Sequence, residues 1–271
     1  MHPSRWLLLL GLVAVRLLAQ DGGTGTRLVL RPHTGDTLRV RLDQTIESTR
    51  GVGPADLNAK PGDVASLTLL ARIIVEATDA AGATAMAHAD SVRVTATGAL
   101  EASPTLRAAR ALQGQRFRFR IAPDGGTALA TDVNMAEAGV SGLLSQLPAT
   151  LPAEPMVPGA SWVRAISLPM ATLPDGKSMA TLNATFRFDS LAGDYAYLSV
   201  RGRLVRSGPL AGVKGGFVQT AGDVTGKILI DLRRGWIADA RSAVTLQSLV
   251  TTEGSAAQRV RVRITQWMRV M

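Results

Sequence analysis

His33 and His88 are the only imidazoles outside the N-terminal leader, which holds the third histidine. His33 falls in the turn-like "HTGD" and His88 in a strand-like run. A zinc site needs three or four ligands at short, regular spacings. No such pattern surrounds either residue, and both read as surface histidines, with no metal expected. "GDVTGKIL", Gly222 to Leu229, has a phosphate-loop look but lacks the G-x-x-x-x-G-K-[ST] spacing, with Ile228 where the hydroxyl should stand. "AGVSGLL" sets Ser141 near glycines without the G-x-S-x-G elbow. Asp189 and Asp194 flank a tight turn, but paired carboxylates that cleave glycosides work beside sugar-stacking rings, and aromatics are only 4% of the chain. The "NAT" triplet at Asn183 lies in a strand-like stretch. There is no cysteine, which removes thiolate catalysis, disulfides, cysteine metal sites and a cysteine lipid anchor. No residue set is therefore read as catalytic, no cofactor is implied, and the chain is expected not to be an enzyme.

The other chemistry on offer is charge. Arg39/Arg41, Arg116/Arg118/Arg120 and Arg259/Arg261/Arg263 recur at period two. Such runs could form a nucleic-acid face. Aromatics for base stacking are missing from the same phase, so the arginines read as the wet side of amphipathic strands, also guarding sheet edges. Nucleic acid is not expected as a partner. An anionic surface or an envelope protein is compatible with that face.

The alternate phase of the same runs is apolar. Phe117 and Phe119, Phe186 and Phe188, and Val260, Val262 and Ile264 would all turn to one side. Strict alternation over four to eight residues marks strands with one buried face. "RVRLDQTI", "QRFRFRIA", "ATFRFD" and "QRVRVRITQW" all show it. Turn signals "HTGD", "TDAAGA", "PDGG", "LAGD" and "RRGW" separate the runs. About eleven or twelve strands follow, with long hairpins Leu67–Thr78 with Thr84–Thr97, Met179–Asp189 with Ala192–Arg206, and Gly216–Leu232 with Trp236–Thr251, and a last strand Ala257–Val270. Strands of this length must twist and coil. The expected fold class is mainly β: a long-stranded antiparallel meander forming a curved open sheet or half-barrel, with one or two short helices on the concave face.

Helix signal is sparse. In Glu137–Leu147, Val140, Leu143, Leu144 and Leu147 make one apolar stripe ended by Pro148. A weaker candidate opens at Ser103 and Pro104 and exits near Gly114. "LPAEPMVPGASW", Leu151 to Trp162, follows the striped helix and carries three prolines and a glycine. It holds one acidic residue and no base or nucleophile pair, so it reads as a stiff crossover into the second set of hairpins.

The N-terminus reads as an export signal. Arg5 precedes an apolar run from Trp6 to Val15, too short for a bilayer span of about 20 residues, and a cut after Ala19 or Gln20 fits the small residues there. Residues 1–19 are thus expected to be a signal peptide and 20–271 a single β-rich domain in the periplasm or outside the cell. Removing Arg5 and Arg16 from 30 basic residues leaves 28 against 21 acidic, a charge of about +7. About 250 residues suffice to build a core without disulfides.

Several segments together resemble a bacterial family of secreted proteins and lipoproteins known only as a domain of unknown function. They are the opening "LRPHTGDTLRVRLDQT", the hairpin "LQGQRFRFRIAPDGGTALAT", the segment "LPAEPMVPGASW" and the late hairpin "DLRRGWIADARSAV". Ala160 departs from the aspartate usual in that family's motif. The resemblance implies a curved antiparallel sheet with helices on its concave side, similar to periplasmic lipoprotein carriers, and implies no activity.

Two functions fit. In the first, Phe117, Phe119, Phe186, Phe188, Val260, Val262 and Ile264 line an apolar groove with Leu143, Leu144 and Leu147 as its lid, and the ligand is lipid-like. In the second, the same residues fill a dry core, and the protein is a structural or assembly component of the envelope. The sequence leaves the oligomeric state open.

Overall fold

The computed structural model describes residues 25–51, 62–129, 150–169, 179–209 and 215–271. The leader and the striped segment with Leu143, Leu144 and Leu147 lie outside them. The described residues form one eleven-stranded antiparallel sheet and almost no helix. The strands are β1 (Thr37–Gly51), β2 (Asp63–Asp79), β3 (Gly82–Ala96), β4 (Arg116–Ile121), β5 (Thr127–Leu129), β6 (Ser161–Pro169), β7 (Met179–Ala192), β8 (Tyr195–Pro209), β9 (Phe217–Asp231), β10 (Trp236–Thr251) and β11 (Gln258–Val270). The expected hairpins are all present: the first two run a few residues longer than their alternation suggests or are shifted by a few residues, and the third, β9 with β10, lies within the expected bounds.

Strand order is β5-β4-β3-β2-β1-β11-β10-β9-β8-β7-β6. The first and last strands therefore pair at the centre, from Val40 opposite Val270 to Gly51 opposite Arg259. The chain lays strands outward from β1 to the β5 edge, crosses to the opposite edge at β6, and returns. Leu151–Ala160 leads into that far edge. Gly159, at φ +92°, makes the turn, and its amide reaches the Phe188 carbonyl at 2.6 Å. A left-handed φ is open to glycine and strained for other residues. The edges β5 and β6 do not pair with one another, so the sheet is open and not a closed barrel.

One end of the curved sheet is closed by backbone that belongs to no strand. Thr26 bridges Met156, the Leu30 amide reaches the Pro123 carbonyl at 2.8 Å, and the Arg31 amide reaches the Gly235 carbonyl at 2.9 Å. The amides of Thr150 and Leu151 share the Asp124 carbonyl. Leu28, Leu30 and Leu151 are buried there among Leu38, Ala85, Ile121, Phe188, Leu198, Ile230 and Trp236, which come from both halves of the sheet. These segments hold β4 and β7 around one core although no ladder joins the two edges.

Helix α1 (Pro104–Arg110) begins at Pro104, as expected, with Gly114 at φ +77° beyond its end. Ser103 occupies the N-cap position but its side chain makes no capping bond, and Pro104 itself needs none. Leu112, just past the helix, packs with Leu69, Ala89 and Phe117, and Ala108 leans on the same group. These sheet residues face inward, so α1 covers part of the concave face.

Candidate functional site

The inward positions of each strand follow from the alternation. On β1 they are Leu38, Val40, Leu42, Gln44, Ile46 and Ser48, whereas Arg39, Arg41, Asp43 and Glu47 face outward. Register carries this phase across the sheet. Leu42 lies opposite Met268, Gln44 opposite Gln266, and Ile46 opposite Ile264; on the next strand Ala240, Ser242 and Val244 continue the same three rows.

The strand residues named from sequence all lie in the inward phase and fall into three buried clusters, whereas Leu143, Leu144 and Leu147 lie outside the described residues. Phe117 is buried beneath α1 and Leu112. Phe188 is fully buried at the closed end, with Phe119 partly buried against that same cluster. Phe186 and Val262 belong to another cluster with Ile166, Leu182, Ala184, Leu204, Val224 and Leu246, and Val260 and Ile264 pack partly buried against it. Phe186 stacks on Trp162 with ring centroids 5.6 Å apart and planes 12° from parallel. Three clusters thus share one concave wall.

Between them lies a less covered strip on β1, β11 and β10. Leu42, Gln44, Ile46, Ile264, Gln266, Met268, Ser242 and Val244 are all half-buried, whereas Val262 and Leu246 beside them are buried. Gln44, Gln266 and Ser242 stand in one register row, so polar side chains cross an otherwise apolar strip. Neither amide takes part in a side-chain hydrogen bond among the described residues. An apolar surface with a few polar groups is the usual composition of a small-molecule site. The sequence reading missed this row. Its signal was available: Gln44 and Gln266 are polar residues in phase with Val40, Leu42, Ile264 and Met268.

Arg164 was also missed. It lies between Trp162 and Ile166 in the inward phase of β6, opposite Ala184. One guanidinium nitrogen donates to the Leu151 carbonyl at 2.7 Å, and the Trp162 indole donates to the Thr150 carbonyl at 2.7 Å. Both side chains pin the crossover to the edge strand. The Arg164 Nε is buried without a partner.

The convex face holds the expected wet arginines. Arg41 grips Asp43 at 2.8 Å, and Thr68 donates to the same carboxylate at 2.9 Å. The Arg41 hydrogen bond holds the Asp43 carboxyl below its ordinary range, with a further contribution from Thr68. Arg120 does the same to Asp79, and Arg72 to Asp90. His88 joins that last pair, its Nδ1 2.6 Å from Asp90, while His33 sits in the turn before β1 beside Asp36. Among the described residues no group of three histidines or carboxylates gathers as metal ligands would. Trp267 lies between two guanidinium groups, Arg241 at 4.3 Å and Arg269 at 4.1 Å, and its indole donates to Asp239 at 2.6 Å. A barrel wall that faces lipid needs an apolar outer band about 25 Å tall. The outward rows of β1 and β11 carry Arg39, Arg41, Asp43 and Glu47 beside Arg259, Arg261, Arg263 and Arg269, so these strands have no such band.

No family model matches the chain, and no curated protein matches it. Among solved structures it is similar to an outer membrane channel from Pseudomonas putida F1, at 11% sequence identity and a TM-score of 0.26, with 92% of this chain and 98% of that chain covered.

Proposed function

We propose that the protein is an exported, non-enzymatic carrier that binds a hydrophobic or amphipathic, lipid-like molecule along its concave face. The half-covered strip on β1, β11 and β10, apolar except for the row Gln44, Gln266 and Ser242, carries this reading. Acyl chains would lie on Leu42, Ile46, Val244 and Ile264, and the amides would take a polar group of the ligand. Apolar burial contributes about 25 cal/mol per Å², and the amides fix orientation because an unmatched polar group in that strip is costly to desolvate.

The test uses protein purified from its own host and a fluorescent fatty acid as probe. Native mass spectrometry is expected to find retained lipid, and the delipidated protein to bind the probe. Ile264→Trp fills the strip and should weaken probe binding at least tenfold. Gln44→Leu/Gln266→Leu should keep the fold and lower affinity for a fatty acid more than for a plain hydrocarbon. Absence of probe binding by the parent, or unchanged binding by Ile264→Trp, refutes the carrier reading and leaves a filled envelope scaffold.

A further inference from the structure

Arginine also occurs in the inward phase of the described strands, at Arg50, Arg164 and Arg206. Arg50 is exposed and lies 3.9 Å from Asp63, and Arg206 is engaged as well. Arg164 forms no ion pair among the described residues. Its guanidinium donates to the Leu151 carbonyl at 2.7 Å, and its Nε is buried without a partner. A guanidinium carries five N–H donors and stays charged in a protein. An unmatched buried donor is costly, and here the positive charge is unbalanced too.

Arg164 borders the half-covered strip. Trp162 and Ile166 flank it on β6. Ile166 belongs to the cluster against which Ile46, Val244 and Ile264 of the strip also pack. Trp162 packs against that cluster and against the closed-end cluster, which contains Leu151 and touches Met268 of the strip. The ladder row of Arg164 runs through Ala184, Gly202 and Val224 to Val244, Ile264 and Ile46.

The amides of Gln44 and Gln266 each offer donors and an acceptor, so they take charged and neutral polar groups alike. Preference for an acid requires a cation. We propose that Arg164 selects an acidic amphiphile: a carboxylate or phosphate head pairs with its guanidinium at the boundary of the two clusters, and the hydrocarbon chain lies along the strip. Such a head supplies the acceptor that Nε lacks and balances the charge, in the bidentate geometry that a guanidinium offers both anions. Arg164 is half-buried, and a partly buried pair is screened less by salt than an exposed one. The assignment rests on the carrier reading and narrows its ligand from any amphiphile to an acidic one.

The experiment titrates the delipidated, host-processed chain with decanoic acid, decyl phosphate and decanol, three probes with the same chain. The parent is expected to bind at least one of the two acids about tenfold or more tighter than decanol, the scale of one charge-assisted hydrogen bond. The tighter acid identifies the head group. Arg164→Gln keeps an amide donor for the Leu151 carbonyl but removes the charge; it should lose that preference while binding decanol as the parent does. Arg187→Gln removes the same charge from the convex side of β7 and should change neither affinity. Inorganic phosphate, an anion without a chain, should not compete with decanoate at equal concentration. Equal affinity of the parent for acids and alcohol, an acid preference that survives Arg164→Gln, equal loss of acid and alcohol binding in that variant, or competition by inorganic phosphate would each overturn the proposal. Failure of the parent to bind any of the three refutes the carrier reading and the anchor with it. Decanol bound as tightly as the acids leaves the carrier reading standing and removes only the role of Arg164.

Discussion

At the scale of single residues, Asp43 shows how the convex face is kept in order. Its carboxylate receives the Arg41 guanidinium through two nitrogens, at 2.8 and 3.0 Å, and the Thr68 hydroxyl at 2.9 Å. Its pKa is lowered from 3.8, first by the Arg41 hydrogen bond. A carboxylate with a depressed folded pKa stabilises the protein above its unfolded pKa, and that contribution disappears as pH falls through the folded value. Asp43→Asn should therefore lower the melting temperature at neutral pH, and the gap between variant and parent should narrow as the pH drops below about 3.8. A gap that is constant with pH would show that the carboxylate charge is not involved. Arg164 teaches a related lesson. Its charge and position were visible in "SWVRAISL", but its task, holding the Leu151 carbonyl across the closed end, depends on a partner thirteen residues away.

At the scale of elements, β9 explains how long strands bend around a core. Its inward row alternates Val218, Thr220, Gly222, Val224, Gly226 and Ile228. A Cβ on Gly226 would stand 2.7 Å from the Arg241 carbonyl oxygen and 2.9 Å from a Val200 methyl, and one on Gly222 would collide with the Thr245 carbonyl. The missing side chains let β8 and β10 fold in over β9, and glycine in a strand marks such close approaches. Register shifts at Leu70/Ala71, Val75/Ala77, Phe188/Ser190 and Ile237/Asp239 add twist where bulges do. Gly226→Val should cost about 1–3 kcal/mol by overpacking. Ala221→Val on the exposed side of the same strand should be neutral or slightly stabilising, because valine favours strands and meets no crowding there. Chemical denaturation of the two variants checks the contrast. Equal effects would mean that the inward glycines are not needed for the curvature.

At the scale of the whole molecule, the two ends of the chain pair at the centre of the sheet and a non-strand segment closes one end. Leu28 is fully buried in a cluster that draws on β1, β3, β4, β7, β8, β9 and β10. Leu28→Ala should cost about 2–5 kcal/mol, as a core substitution does, although the residue lies in no strand. Calorimetry should show a single transition for the parent and the variant, since one ladder and one core tie β1–β5 to β6–β11. Two separated transitions would mean that the halves fold as independent units joined only through the β1–β11 pair. The central pairing is also far apart in sequence, which favours slow folding.

The sequence by itself determined the class of structure. Period-two alternation in runs such as "RVRLDQTI" and "QRVRVRITQW" specified which side of each strand is wet, because successive side chains leave a strand on opposite faces. Turn residues specified where most hairpins close, and the absence of cysteine excluded a whole branch of chemistry. What alternation cannot express is which distant strands become neighbours. Phe117, Phe186 and Phe188 share a phase but fall in three clusters: α1 and Leu112 cover the first, the N-terminal segment and the crossover together cover Phe188, and Phe186 packs among side chains of the strands themselves. The row Gln44, Gln266 and Ser242 exists only because β1 pairs with β11 and β11 with β10 in one register, a relation set by long-range hydrogen bonding and packing across more than two hundred residues of chain.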